Sequence, residues 1–188
     1  MRQINWLESL EVAKTEAETY GKLVLVLLHD TQCQGSAKTI SVTLADDVTQ
    51  DIIEDNFAPV IYDVNRYPEL AAKFNIEWTP TFVITDSNGN ELARWVGYLP
   101  PVDFACQMML AIGMADVHMN LLHEAEAALS WVLDKHPDEP LAPKARYYMG
   151  LALFKETGEF EHLRRTWEAM RKRYPESIWT RKASAWAM

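Results

Sequence analysis

Cys33-Gln34-Gly35-Ser36, with Lys38 two places on, holds the residue types in this chain best suited to chemistry. A thiol reacts as its thiolate, the form that attacks disulfides. An exchange that resolves itself needs a thiol at each end of such a tetrapeptide, and here a serine stands in the second place. Cys33 alone predicts half of a thiol–disulfide exchange. Attack would give a mixed disulfide, and an outside thiol would have to release it. If Cys33 opens a helix, the unpaired N–H groups of the first turn favour its charged form.

The elements around this tetrapeptide can be read from pattern. Residues 7–20 have helical spacing, with Leu7, Leu10, Val12, Ala13 and Ala17 on one side and Gly21 as the stop. Leu23 to Leu28 is continuously apolar, as a strand covered on both faces should be. Asp46 and Asp47 can cap a helix ending near Phe57. Pro59 to Tyr62 predicts a second strand, Pro68 to Phe74 a short helix, and Thr81 to Ile84 a third strand. Asn88-Gly89 is a hairpin signal, Glu91 to Gly97 the return strand, and Pro100-Pro101 the opening of a long helix.

The order of these elements gives an α/β layer with a hairpin at one end. It resembles the thioredoxin fold, and several motifs fall in that family's order: Gly21-Lys22, Cys33-x-x-Ser36, Asn56-Phe57, Asp63-Val64, Trp78-Thr79-Pro80-Thr81-Phe82 and Gly97. The resemblance covers roughly residues 5–112 and implies a three-layer thioredoxin-like domain with an added N-terminal helix. It implies that Thr79-Pro80 is the family's cis-proline loop, lying against the cysteine and offering backbone to an extended substrate. Cys33 and Ser36 would then be the reacting positions, with Gln32, Gln34, Gly35, Thr79 and Pro80 around the substrate. Three departures bear on mechanism. Ser36 replaces the resolving cysteine. The family's buried acid on the central strand falls on Leu27. The tryptophan before the cysteine is Gln32, and the Gly-Pro between the ends is Gln34-Gly35.

Composition narrows the remaining classes. The chain has 188 residues, nearly half of them apolar, enough for one domain and an appendage. Its net charge is −9; residues 1–105 carry seven Lys/Arg against sixteen Asp/Glu, and residues 106–188 eleven of each. That acidity argues against nucleic-acid binding. With no membrane-length apolar run and no secretory pattern at Met1 to Trp6, a cytoplasmic protein is expected. Two distant cysteines, Cys33 and Cys106, argue against a disulfide framework, and Cys106 reads as a small core residue. The histidines at 29, 118, 123, 136 and 162 have no metal-ligand spacing. His29 reads as a strand-end polar residue, four places from Cys33. No bound cofactor is expected beyond an external thiol such as glutathione.

The second half is helical and self-similar. Ala125, Leu129, Val132 and Pro137 have the same spacing as Leu163, Trp167, Met170 and Pro175, offset by 38 residues, and Ile112-Gly113 and Met149-Gly150 stand upstream. Such helix pairs resemble tetratricopeptide repeats, which implies a surface for a protein or peptide partner. We expect a thioredoxin-like domain over 1–115 and a helical extension over 101–188, sharing the helix 102–119. Ser177 to Trp186 would cap the extension, with Ile178, Ala183 and Trp186 inward. Trp131, Tyr147, Tyr148, Phe154, Trp167 and Trp179 read as packing between helices. Two functions follow as expectations: monothiol exchange at Cys33 with recruitment by the helices, or a redox-inactive adaptor. A homodimer through the helical tail is a further expectation.

Overall fold

The apolar run from Leu23 forms the middle of a sheet. In the computed structural model, which describes residues 3–187, β1 (Leu23–His29) lies between β2 (Phe57–Asp63) and β3 (Thr81–Thr85), and β4 (Glu91–Val96) forms the far edge. β1 runs parallel to β2 and antiparallel to β3; β3 and β4 are antiparallel. Residues Leu23 to Leu28 are all buried, because helices cover both sides of a central strand. Val24, Val26 and Leu28 face a cluster that includes Leu10, Ala13 and Ala17 of α1 (Leu10–Tyr20) and Phe74. Leu27 points to the other face, opposite Phe82 in register. Phe82 in turn stacks on Trp95 at 5.0 Å and meets Phe104 edge-on at 4.8 Å.

Several expected boundaries move. α1 starts at Leu10 rather than Leu7, because the Ser9 hydroxyl caps it by accepting the Val12 N–H. Two residues past Leu10, Val12 lies on the far side of the helix from the Leu10, Ala13 and Ala17 stripe, so it is 43% exposed. Gly21 ends α1 at φ +67, in the left-handed region that favours glycine. β2 begins two residues early, at Phe57, since Phe57 and Ala58 are both buried. After Cys33 the chain forms only five residues of α-helix, α2 (Gln34–Lys38), then a π turn over Thr39–Thr43, which no sequence pattern signalled. α3 (Asp47–Asn56), capped by Asp46, and α4 (Pro68–Lys73) complete the connections.

The chain divides into two compact units between Ala105 and Cys106. The boundary falls within α5 (Pro101–Met119). The second unit contains the rest of that helix with α6 (Leu122–Lys135), α7 (Ala142–Thr157), α8 (Phe160–Arg173), α9 (Ile178–Ala183) and a closing 3-10 turn at Ser184–Trp186. Its helix contacts recur. A Cβ on Gly113 would stand 2.6 Å from Leu129, and a Cβ on Gly150 would stand 2.6 Å from Thr166. Both positions are glycine because another helix occupies that space. α6 ends at His136 with φ −136 and ψ 54, and α8 ends at Tyr174 with φ −130 and ψ 54. The Tyr174 hydroxyl donates to the Pro137 carbonyl at 3.0 Å. Trp131, Tyr147, Tyr148, Phe154, Trp167 and Trp179 all pack against apolar clusters of this unit. Ala183 and Trp186 are buried, but Ile178 is 50% exposed and not inward, because it is the first residue of a one-and-a-half-turn helix. Among the described residues, no helix is long and apolar enough to cross a membrane.

One buried carboxyl gives this unit a pH dependence. Asp116 is 6% exposed, and burial, aided by repulsion from Glu124, raises its pKa to about 6. The folded state therefore binds this proton more tightly than the unfolded state. The side chain costs nothing below about pH 4, costs increasingly more up to about pH 6, and beyond that the penalty is constant at roughly 3 kcal/mol or less. Asp116→Asn should raise stability at pH 8 by about 1–3 kcal/mol and leave it unchanged at pH 4. Hydrogen-exchange protection of the α6 amides at the two pH values would test this, and an equal effect at both would overturn it.

Candidate functional site

The site begins where β1 stops. His29 ends the strand, and its carbonyl accepts the Val64 N–H at 2.9 Å, holding the chain after β2 beside the loop. Asp30 then shapes the turn. Its Oδ1 accepts the Gln32 N–H at 2.8 Å and its carbonyl accepts the Cys33 N–H at 3.0 Å. Cys33 sits at the cap position of α2 with extended backbone, and its carbonyl accepts the Ala37 N–H. The thiol is partly exposed.

Across from it, Thr79-Pro80 is a cis peptide. The Cys33 thiol donates to the Thr79 carbonyl at 3.2 Å. The loop is braced at both ends. The Thr81 hydroxyl donates to the Trp78 carbonyl at 2.6 Å, and the Gly97 N–H donates to the Pro80 carbonyl at 2.8 Å. Gly35 permits this approach, since a Cβ there would lie 3.2 Å from Pro80 Cδ and 3.6 Å from Cys33 Sγ. Ser36 is 1% exposed, and its Oγ accepts the Asp30 N–H at 3.3 Å.

The surroundings favour the thiolate. The Cys33 pKa is held below the ordinary thiol value, first by the Thr79 side chain and then by the Ser36 N–H. Burial opposes them, and the Ser36 hydroxyl and the Gly35 N–H add to the lowering. Thr79 acts from the facing loop; the other donors, Ser36 and Gly35, belong to the first turn of α2, which at five residues is too short for an extended helix dipole. His29 takes no part. Burial lowers its pKa despite the nearby Asp63 and Asp30, so the imidazole is neutral at pH 7, with Nδ1 lacking a partner among the described residues.

A groove of about 560 Å³ opens beside the sulfur, lined by Asp30, Cys33, Val64, Pro68, Ala71, Ile76, Glu77, Trp78 and Thr79. Of the residues singled out by sequence, Cys33 and Thr79 line it. Ser36 and Pro80 are buried beneath, and Gly35 lies in the contact between Cys33 and Pro80. Gln32 and Gln34 are exposed and line no part of it. Sequence reasoning did not assign Asp30, Val64, Ile76, Glu77 or Trp78 to the site. Position offers the one signal for Glu77 and Trp78, which directly precede Thr79-Pro80. Cys106 is fully buried, and neither cysteine is in a disulfide. Among the described residues, no group of three or more His, Cys, Asp or Glu side chains could hold a metal ion.

A sheet ordered β2-β1-β3-β4, a cysteine where β1 meets a helix and a cis-proline loop facing it define an α/β class built around one strand–helix junction. The chain belongs to the thioredoxin-like domain family, which matches residues 10–111. Among solved structures, a thioredoxin from Thermus thermophilus is 23% identical, over 57% of this chain and 85% of that one, with a TM-score of 0.51. A DsbH oxidoreductase is 18% identical over 52% and 78% of the two chains (TM-score 0.47), and a poplar thioredoxin h is 24% identical over 47% and 76% (TM-score 0.41). None of the curated proteins matches.

Proposed function

We propose that the protein carries out monothiol thiol–disulfide exchange through Cys33. The Cys33 thiolate attacks one sulfur of a disulfide RS–SR. The new bond is Cys33 S–SR, and RS⁻ leaves. Ser36 has no sulfur to attack in turn, so a second thiol from solution, such as glutathione, attacks the outer sulfur of Cys33 S–SR, forms a new disulfide with the RS group, and releases the Cys33 thiolate. Ser36 instead donates its hydroxyl to the thiolate, and Thr79 and Pro80 hold the substrate backbone. One observation carries this reading: the partly exposed Cys33 thiol stands at the start of α2, facing the cis Thr79-Pro80 peptide, among donors that favour its charged form.

The helical unit would recruit a protein or peptide. Two features support a tetratricopeptide-like reading of it: the matching close contacts at Gly113 and Gly150 and the matching ends of α6 and α8. Stacked helix pairs of that kind expose one continuous face to a partner.

The rate of Cys33 alkylation measured against pH tests the exchange reading. It should follow a thiol titrating below about 8.5, the ordinary value, and incubation with oxidised glutathione should give a mixed disulfide that Cys33→Ser lacks. An ordinary titration together with no mixed disulfide would sink the proposal.

A further inference from the structure

The groove beside Cys33 has a chemical bias that follows from its lining. Its floor is apolar, made by Val64, Pro68, Ala71 and Ile76. Two carboxylates, Asp30 and Glu77, also line it, and no Lys, Arg or His does so among the described residues. Trp78 stands at the same edge with 70% of its surface exposed. The cation of the motif itself is turned elsewhere, since Lys38 Nζ lies 4.5 Å from the centre of the Tyr98 ring. The whole first unit is acidic as well, seven Lys/Arg against sixteen Asp/Glu in residues 1–105.

We propose that this groove selects disulfides flanked by cationic groups, Glu77 and Asp30 supplying the opposite charge and Trp78 an indole face. This rests on the exchange reading above and names its substrate class: a protein segment with lysine or arginine beside the reacting cysteine. The physical basis is twofold. Charges closer than a Debye length attract or repel the approaching disulfide at low salt. An exposed indole attracts a cation but gives an anion nothing. Glu77 adjusts the choice of disulfide and does not touch the reacting sulfurs. It is a specificity residue rather than a catalytic one.

Small disulfides of similar length separate this inference from the exchange reading. The probes are cystamine, a dication, and 3,3′-dithiodipropionate, a dianion, each reacted with the full chain while formation of the Cys33 mixed disulfide is followed by intact mass. The ratio of the two rates is divided by the same ratio for 2-mercaptoethanol, which removes the difference between the leaving thiols. At low salt the normalised ratio should favour cystamine by about 10-fold, since each nearby charge is worth about threefold, and it should shrink towards unity at 1 M salt, where the Debye length is only about 3 Å. Glu77→Gln should lower the low-salt ratio about threefold, and Trp78→Leu should lower it through cystamine alone. If Cys33 reacts with both disulfides at a normalised ratio near one, the selectivity is wrong and the exchange reading stands. If Cys33 reacts with neither, both fall.

Discussion

Ser36→Cys should convert a site that accumulates mixed disulfides into one that clears them. The Ser36 side chain already reaches the Cys33 sulfur, since its hydroxyl is among the donors that favour the thiolate. A thiol in its place would lie one helical turn from the mixed disulfide and act at an effective concentration of about millimolar or more. Against about 10 µM of outside thiol, release should be roughly 100-fold faster. The introduced sulfur attacks Cys33 S–SR, an internal disulfide forms, and RS⁻ leaves. The pH dependence carries further information. Position 36 is 1% exposed, so burial raises the pKa of a thiol there. On the strand behind, Leu27 offers no base to take its proton. Release should therefore accelerate through the alkaline range rather than level off near neutrality. The parent chain and Ser36→Cys would be loaded with glutathione and followed by intact mass at that concentration of outside thiol. Equal persistence of the glutathione adduct in both would overturn the prediction.

Ser36 and Leu27 were conspicuous in the sequence because both are substitutions within a recognisable frame. The frame was readable for a physical reason. β1 is covered on both faces, so six apolar residues in a row mark it. Gly21, Asp46 and Gly89 use a side-chain cap or positive φ, which are local properties of residue type. Val12 and Ile178 were misplaced for other reasons: Val12 lies on the opposite face from Leu10, Ala13 and Ala17, and Ile178 is the first residue of a short helix. The π turn over Thr39–Thr43 left no pattern. One of its partners lies far along the chain, since the Thr43 hydroxyl donates to the Leu99 carbonyl.

The groove was less legible than the thiol. Val64, Pro68, Ala71 and Ile76 come from the chain after β2, from α4 and from the loop beyond it, and each looks like an ordinary apolar or loop residue. They become a surface beside Cys33 only once β2 is paired to β1 and the Val64 N–H is tied to the His29 carbonyl. Close approaches are equally hidden. Gly35, Gly113 and Gly150 are alike in sequence, yet one admits a proline ring beside a sulfur and the other two admit neighbouring helices. In the helical half, spacing did expose the recurrence, because both segments place their small and bulky residues at the same intervals.

Phe104→Ala should be the most damaging single truncation in the first unit. Phe104 is fully buried at the start of α5, where its ring meets Phe82 at 4.8 Å and Trp95 at 5.5 Å. The lost burial and the cavity left behind should cost about 3–5 kcal/mol, a large part of the roughly 5–15 kcal/mol that holds a domain together. The loss also bears on chemistry. Phe82 follows Thr81, whose hydroxyl braces the Trp78 carbonyl, and it stacks on Trp95 one place before the end of β4. Loosening that stack should relax the loop that faces Cys33. Phe104→Leu keeps an apolar side chain there and should cost less than about 1.5 kcal/mol. Because the chain has two units, a single unfolding curve would mix them. Hydrogen exchange at the β3 amides reports the first unit directly. Protection at Phe82 and Val83 should fall by about 100-fold or more in Phe104→Ala, accompanied by slower alkylation of Cys33, while Phe104→Leu stays close to the parent in both. Protection within a few-fold of the parent in Phe104→Ala would mean that the aromatic cluster does not hold this sheet, and slowed alkylation with protection intact would separate the loop from the core.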